Sequence, residues 1–559
     1  MQDAEPRPVS VTWDASSRRW LILAASVFGL FMAILDASIV AIATPSIEQG
    51  FKTDIETATW VLNAYNLVFA VLLIPAGRVA DRFGRKKLFL AGIVIFTVFS
   101  LACGLAGSIE LLIACRAFQA VGAAIMVPVS LAIVTVAFPP QQRGLAVGVW
   151  GAISGAAGAI GPTMGGLLTE YAGWEWIFFV NVPVGVLAVA ACLMFIPESR
   201  DLKASHRVDL PGLVTLSGAL FTLTLALIRG EAVGWSSPFI VGLFAAFAVF
   251  TLLFVVVEHL TKAPLVDLRM LRQRTFGAAS VAVLLFGLGF FGALFLFIQY
   301  LVVVEGYSIL RAALSVTPLP AAIIVVGPIA GRLSDRYGPH TLVVTGVATF
   351  GLAMFFFSRF AGGESYWDML WPLIVAGIGA GLAFPPLTSA AMGSIGGGRQ
   401  GVGAGVFNTA RQVGFTLGLA VLVAVFVGAL RPRLADASIE VNTLVQQSDL
   451  PAPVQQGIIQ GIASAISSNV NQGAISGEQQ KFDLYDSVEQ AAGPAVADAN
   501  RATLDRLSGE LKTVFAQAAA DAFDRAFLVA AIILWFGVIP AYFVKRAPDT
   551  LLGPPSTST

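Results

Sequence analysis

Charge is scarce in this sequence. Only 12% of its 559 residues are Asp, Glu, Lys or Arg, where an ordinary soluble domain carries roughly a quarter. Together with 57% hydrophobic residues and a mean hydropathy of +0.80, that scarcity excludes a soluble globular chain and indicates a polytopic membrane protein. Long alternating strands are missing too, which argues against a β-barrel. Cysteine is rare: Cys103, Cys115 and Cys192 all fall inside apolar runs and imply no disulfide framework. The three histidines, His206, His259 and His340, are scattered. No Cys/His cluster of metal-ligand spacing and no G-x-x-x-x-G-K-[ST] loop occurs, so neither a metal site, a cofactor nor ATP hydrolysis is indicated, and no catalytic constellation marks an enzyme. The formal net charge of zero gives no sign of a nucleic-acid partner. The first apolar run follows Arg18, Arg19 and Trp20 without a small-residue cleavage site, and is expected to be a retained span.

Apolar runs are abundant. They occupy 20–44, 57–77, 88–107, 111–136, 143–168, 176–197, 209–229, 238–258, 276–304, 312–331, 341–360, 369–390, 402–430 and 526–545. Each is long enough for a helix to cross the roughly 30 Å hydrocarbon layer, which predicts fourteen spans and an all-α fold. With the N-terminus inside, most short-loop Lys and Arg fall on the cytoplasmic side, and only Lys52, Arg229, Arg311 and Arg359 lie in short outer loops. This bias places both termini in the cytoplasm.

One charge knot, "AGRVADRFGRKK" at 76–87, interrupts the greasy chain, and "AGRLSDRYGPH" echoes it at 330–340, with Gly331 standing 254 residues after Gly77. The echo predicts two homologous bundles. The expected organisation is a cytoplasmic tail at 1–19, an N-terminal six-helix bundle at 20–197, an inserted helix pair at 209–258, a C-terminal six-helix bundle at 276–430 and 526–545, and a second tail at 546–559. Residues 431–525 are rich in Ala, Gln, Ser, Asn and Asp; Leu504, Leu507, Leu511, Val514 and Ala518 recur there at helical spacing. A small extracellular helical element is expected, either a spacer or a cap affecting release.

Several stretches together resemble the major facilitator superfamily, and within it the fourteen-helix drug:proton antiporter branch of multidrug efflux type. The first knot is similar to the signature loop after the second helix, "LDASIVAIATPSI" at 35–47 to the first-helix motif and "LIACRAFQAVGAA" at 112–124 to the fourth-helix arginine motif. "GAAGAIGPTMGG" at 155–166 resembles the antiporter motif, and "WEWIFFVNVPVG" at 174–185 completes the order. Ala120 stands where the arginine motif usually has glycine, and the second knot ends in Pro339-His340 rather than in basic residues.

The resemblance implies an inner-membrane exporter that works by alternating access on a proton gradient, moving amphipathic or cationic small molecules; the alternative cargo is a lipid or an endogenous metabolite. A monomer in the bilayer is expected. By resemblance Gly77, Asp81, Arg82, Gly84 and Arg85, with Asp335 and Arg336 of the echo, form a cytoplasmic gate. Asp81 is also placed to cap or attract the N-terminus of a nearby helix.

Asp36 and Arg116 both lie roughly 9–12 Å below the outer surface at 1.5 Å per residue. Charges in a span usually face the bundle interior or a wet cavity and tend to pair. They are either a proton-linked site, in which protonation of Asp36 weakens the pair, or a static tie between spans one and four. Asn63, Asn66, Gln119, Gln299, Asn408, Arg411 and Gln412 are candidate cavity polars, or interhelical hydrogen-bonding groups. Gly151, Gly155, Gly158, Gly161, Gly165 and Gly166, with Pro162, strip side chains from one face of span five. That face serves either the bending of an antiporter motif or simple tight packing.

Overall fold

The computed structural model describes residues 16–53, 55–200, 209–261, 264–266, 268–395, 400–448, 450–452, 454–460 and 500–545, with isolated residues 485, 488 and 498. Residues 1–15 and 546–559 of the two expected tails, and His206, lie outside the described residues, as does most of 461–499.

Fourteen of the described helices are long and apolar enough to cross a membrane, as expected. In hydrocarbon a backbone must satisfy its own N–H and C=O groups, and uninterrupted apolar runs do so as helices. The first six are α1 (Ser16–Phe51), α2 (Ile55–Phe83), α3 (Arg85–Gly104), α4 (Ile109–Ala137), α5 (Arg143–Tyr171) and α6 (Asn181–Phe195), which with the helical turn Trp176–Phe179 before it makes one span, Trp176–Phe195. The inserted pair is α7 (Leu210–Val233) and α8 (Pro238–Leu260). The last six are α9 (Arg274–Val303), α10 (Pro318–Tyr337), α11 (His340–Phe357), α12 (Tyr366–Gly393), α13 (Gln400–Gln446) and α14 (Arg501–Tyr542).

Polar side chains start helices where the chain re-enters. Ser108 Oγ accepts the Leu111 N–H at 3.3 Å and Ser237 Oγ accepts that of Ile240 at 3.3 Å, while Ser365 and Asp368 form a capping box on α12. The two knots turn in the same way. Gly84 and Gly338 close α2 and α10 with φ of +116° and +89°, a region open to glycine and strained for other residues.

Helices α1–α6 pack among themselves, as do α9–α14. The two bundles meet along two seams, α5 against α10 and α2 against α13. Helices α7 and α8 pair with each other, and α7 leans on both α2 and α13, so the inserted pair covers one seam only. Burial separates centre from periphery: 83% of the most apolar window of α4 is inside the protein, against 6% for α8. Helix α4 is therefore an axis of its bundle, and α8 turns almost its whole surface to lipid.

The C-terminal bundle departs from the expected boundaries. Helix α13 continues through residue 446 without breaking at 430, and α14 begins at 501 rather than 526. At 47 residues α13 is about 70 Å long, far more than a bilayer needs. The extensions form an antiparallel projection with its own core, in which Val441, Val445, Leu504 and Leu507 are buried. Arg433 and Asp521 pair across its base at 2.9 Å. The polar and charged residues of these stretches make them look like a connector, yet Val441 and Val445 of α13 and Leu504, Leu507 and Leu511 of α14 recur at helical spacing and give the two helices a face to share.

Leu507→Ala is expected to destabilise this projection by about 2–5 kcal/mol, so that limited proteolysis of protein in liposomes cuts within 431–525 faster while the spans stay protected. An unchanged cleavage rate would show that the stripe is not a core.

Candidate functional site

The face that carries the two knots is held by a pair of matching contacts. At the end of α2, the Asp81 carboxylate accepts the N–H groups of Gly401 at 2.9 Å and Val402 at 3.0 Å, the second and third residues of α13. At the end of α10, Asp335 accepts those of Gly144 at 2.8 Å and Leu145 at 3.1 Å, the second and third residues of α5. A helix start offers unpaired N–H donors and the positive end of the helix dipole, so each carboxylate binds a helix of the opposite bundle. Glycine makes this approach possible. A Cβ at Gly77 would collide with Gly401 O, and one at Gly331 would collide with Gly144 O.

The two latches differ in their support. Arg85 chelates Asp81 through Nε at 3.0 Å and Nη2 at 2.7 Å and is itself buried; the second copy has Pro339 at that position. Arg82 and Arg336 stand over the rings of Phe83 and Tyr337 at 4.6 and 5.2 Å. Glu198, which the sequence reading passed over, ties the first knot to the chain beyond α6. It accepts the N–H groups of Lys86 and Lys87 at 3.2 Å each, and a Cβ at Gly84 would stand 2.6 Å from its Oε1.

Deep in the N-terminal bundle, toward the opposite face, Asp36 of α1 and Arg116 of α4 meet at 2.5 Å with neither side chain exposed. Asp36 Oδ1 also accepts from Gln119 Nε2 at 2.9 Å and from Asn181 Nδ2 at 3.1 Å. Arg116 donates to Gln119 Oε1 at 2.8 Å and to Val61 O at 3.2 Å, and its guanidinium lies 4.1 Å from the Tyr65 ring centroid. A buried ion pair persists only when its remaining donors and acceptors are met, and here Gln119 and Asn181 meet most of them. Arg116 Nη2 and Asn181 Oδ1 are left without partners. This is a charge pair that water cannot reach in this conformation, with two loose ends, a donor and an acceptor, that water could satisfy if it opened.

The candidate cavity polars do not form one cluster. Gln119 belongs to the Asp36 network. Asn63 and Asn66 are half-buried on α2 without side-chain hydrogen bonds among the described residues, and Gln299 is half-buried on α9. Asn408 is buried and donates to Ala404 O on its own helix at 2.8 Å; Gln412 is half-buried, while Arg411 is buried. Asn181 and Tyr65 were missed. The one polar residue in the greasy stretch WIFFVNVPVG was a readable signal for Asn181, whereas nothing in its run marks Tyr65 apart from other aromatics.

The glycines of α5 do not share one face, contrary to expectation. A Cβ at Gly161 would collide with Ser38 Oγ and one at Gly165 would lie 2.9 Å from Ile39 O, both on α1. Gly148 instead faces Gly327 O on α10 at 2.6 Å, and Gly155 faces Ile323 of α10 at 3.4 Å. Gly158 meets Ile34 at 3.8 Å and Gly166 meets Leu310 at 3.6 Å, ordinary packing distances; Pro162 lies within the helix. A 3.6-residue turn carries glycines at mixed spacings around the helix, so α5 fits closely against its own bundle and against the other one.

Two bundles joined by matched contacts across a 254-residue repeat are the plan that the echo of the first knot predicted. Residues 26–419 match the family model described as Major Facilitator Superfamily. This chain belongs to the Major Facilitator Superfamily. It is 33% identical to the tetracenomycin C resistance and export protein of Streptomyces glaucescens, over 88% of this chain and 94% of that one. It is 35% identical to the puromycin resistance protein pur8 of Streptomyces alboniger, over 80% and 88%. Among solved structures it is similar in fold to the human organic anion transporter MFSD10 (TETRAN), with a TM-score of 0.53 at 14% identity over 92% of this chain and 99% of that one. As a Major Facilitator Superfamily member of the multidrug efflux type, the chain is a multi-pass membrane transporter and not an enzyme.

Proposed function

We propose that this transporter exports amphipathic small molecules across the cytoplasmic membrane, with both termini and the knot face in the cytoplasm, by alternating access coupled to the return of protons. One observation carries the reading: a fully buried Asp36–Arg116 pair sits in one bundle while both carboxylate latches close the opposite end of the molecule. The latches are the cytoplasmic gate. When they part, the helix starts of α5 and α13 lose their counter-charges and the bundles rock apart on that side. Closure of the latches, as in this structure, leaves the far side free to open, and only when it opens does water reach Asp36. Protonation then removes one half of the pair and leaves Arg116 to be solvated. A substrate shifts this equilibrium only by its different affinity for the two states. The names of the relatives, resistance and export proteins, support the outward direction. The protein is expected to work as a monomer in the inner membrane.

Purified protein in liposomes, given an imposed pH gradient and a panel of dyes, antiseptics, antibiotics and labelled lipids, tests the proposal. Gradient-driven flux of drug-like amphipaths is expected. Flux of labelled lipid alone would move the reading to the alternative cargo, and flux that ignores the gradient would remove the proton coupling.

A further inference from the structure

Arg411 is the buried cation that the scheme above leaves without work. It lies eleven residues into α13, about 16 Å from the knot end, near the middle of a hydrocarbon layer about 30 Å thick. Only 7% of its surface is exposed. Among the described residues no carboxylate pairs with it and no acceptor takes any of its N–H groups, and its Nε is buried without a partner. Its surroundings are aromatic instead. The guanidinium carbon lies 5.3 Å from the Phe384 ring centroid, 5.8 Å from that of Phe415 and 6.0 Å from that of Trp150.

Those rings come from both halves of the molecule. Trp150 is on α5 of the N-terminal bundle, Phe384 on α12 and Phe415 on α13. Trp150 spends its indole N–H on Ser130 Oγ at 3.1 Å, so toward Arg411 it offers only its ring. One turn before Arg411, on the same face, Asn408 Oδ1 is buried without a donor. Asp36, the buried carboxylate of α1, is already taken by Arg116, Gln119 and Asn181.

A guanidinium has five N–H donors in a fixed planar fork and does not lose its charge in proteins. Buried without an acceptor it is unfavourable, and ring faces at more than 5 Å return only part of the lost hydration. Held between two bundles that move, such a group is satisfied by what enters between them. A carboxylate or an ionised enol or phenol matches the fork with two parallel hydrogen bonds, and flat rings cover the apolar body of the same molecule. A cationic cargo would meet a like charge in a weakly screened site.

We propose that Arg411 is the recognition centre of an anion site between the bundles, and that the cargo is an aromatic amphipath bearing one ionised acidic oxygen. The inference rests on the export reading and narrows it, setting aside the cationic part of the expected range.

The test uses two xanthene dyes of opposite charge, fluorescein and rhodamine 6G, on the full-length protein. Binding is read by intrinsic tryptophan fluorescence in detergent, and flux is read in liposomes under a pH gradient. Wild type is expected to bind and move fluorescein at least tenfold better than rhodamine 6G. Arg411→Gln should weaken fluorescein binding tenfold or more and leave rhodamine 6G unchanged or improved, while Arg411→Lys keeps part of the affinity. On wild type alone, biphenyl-4-carboxylate should displace fluorescein and biphenyl-4-methylamine should not, which keeps the test open if Arg411→Gln does not fold. No fluorescein binding, equal binding in Arg411→Gln, or displacement by the amine and the acid alike would overturn the anion site and leave export untouched. Fluorescein binding without flux would instead contradict export and leave the site standing.

Discussion

Asp36→Asn is expected to abolish pH-gradient-driven transport, lowering it by about a hundredfold or more, while protein still reaches the membrane. The substitution leaves Arg116 charged, buried and short of its main acceptor, because the Asp36 carboxylate supplies the 2.5 Å contact and neither group reaches water. Breaking a buried pair from one side costs about 3–5 kcal/mol, so a lower melting temperature accompanies the loss and on its own would be ambiguous. The double variant Asp36→Asn/Arg116→Gln separates the two explanations. Removing both charges relieves the uncompensated cation, and thermal stability should return toward wild type. If the pair were only a tie between α1 and α4, transport would return with it. The proton-linked reading predicts that downhill exchange of cargo survives and gradient-driven accumulation does not.

The second large effect concerns the latches. Each carboxylate receives two backbone N–H groups at a helix start, and hydrogen bonds to a charged group contribute about 1.5–3 kcal/mol. Neutralising one of them therefore shifts the balance between the closed and open knot face by about tenfold, since about 1.4 kcal/mol is a factor of ten. Asp81→Asn/Asp335→Asn should shift it by about a hundredfold. Spin labels at Phe83 and Tyr337, exposed residues at the knot ends of α2 and α10, report the change. Wild type gives one short distance, and the double variant should add a longer and broader population. Identical distributions would mean that the latches do not control the gate. Because Arg85 supports only Asp81, the single Asp335→Asn variant is expected to open the gate more readily than Arg85→Gln, which leaves both helix-start contacts in place.

How far these features could be read from the chain depended on whether they were local. Fourteen helices follow from runs of apolar residues, and the two-bundle plan follows from the echo of Gly77 and Asp81 at Gly331 and Asp335. That Asp81 meets a helix start was legible from its place after a helix; that the helix is α13 was not, because 320 residues separate it from Gly401 and no local pattern encodes the register between bundles. Equal depth brought Asp36 and Arg116 together on paper, and the packed chain adds Asn181 from α6, whose contribution depends on how α6 lies against α1. The face count on α5 failed for a similar reason. Glycines at 155, 161 and 165 look like one small stripe in a list, but two neighbours, α1 and α10, divide them. Helix α13 outran its expected end because hydropathy marks only where the bilayer stops, whereas the buried Ala437, Val441 and Val445 carry a helical stripe beyond it.

The central claim is that one buried carboxylate links cargo to protons. Its most direct measurement is proton release from detergent-solubilised protein in weak buffer, with a pH indicator, on addition of a cargo identified by the liposome panel. Wild type is expected to release on the order of one proton per bound cargo molecule, and Asp36→Asn/Arg116→Gln to bind cargo with no release. Equal proton release from both proteins would contradict the account.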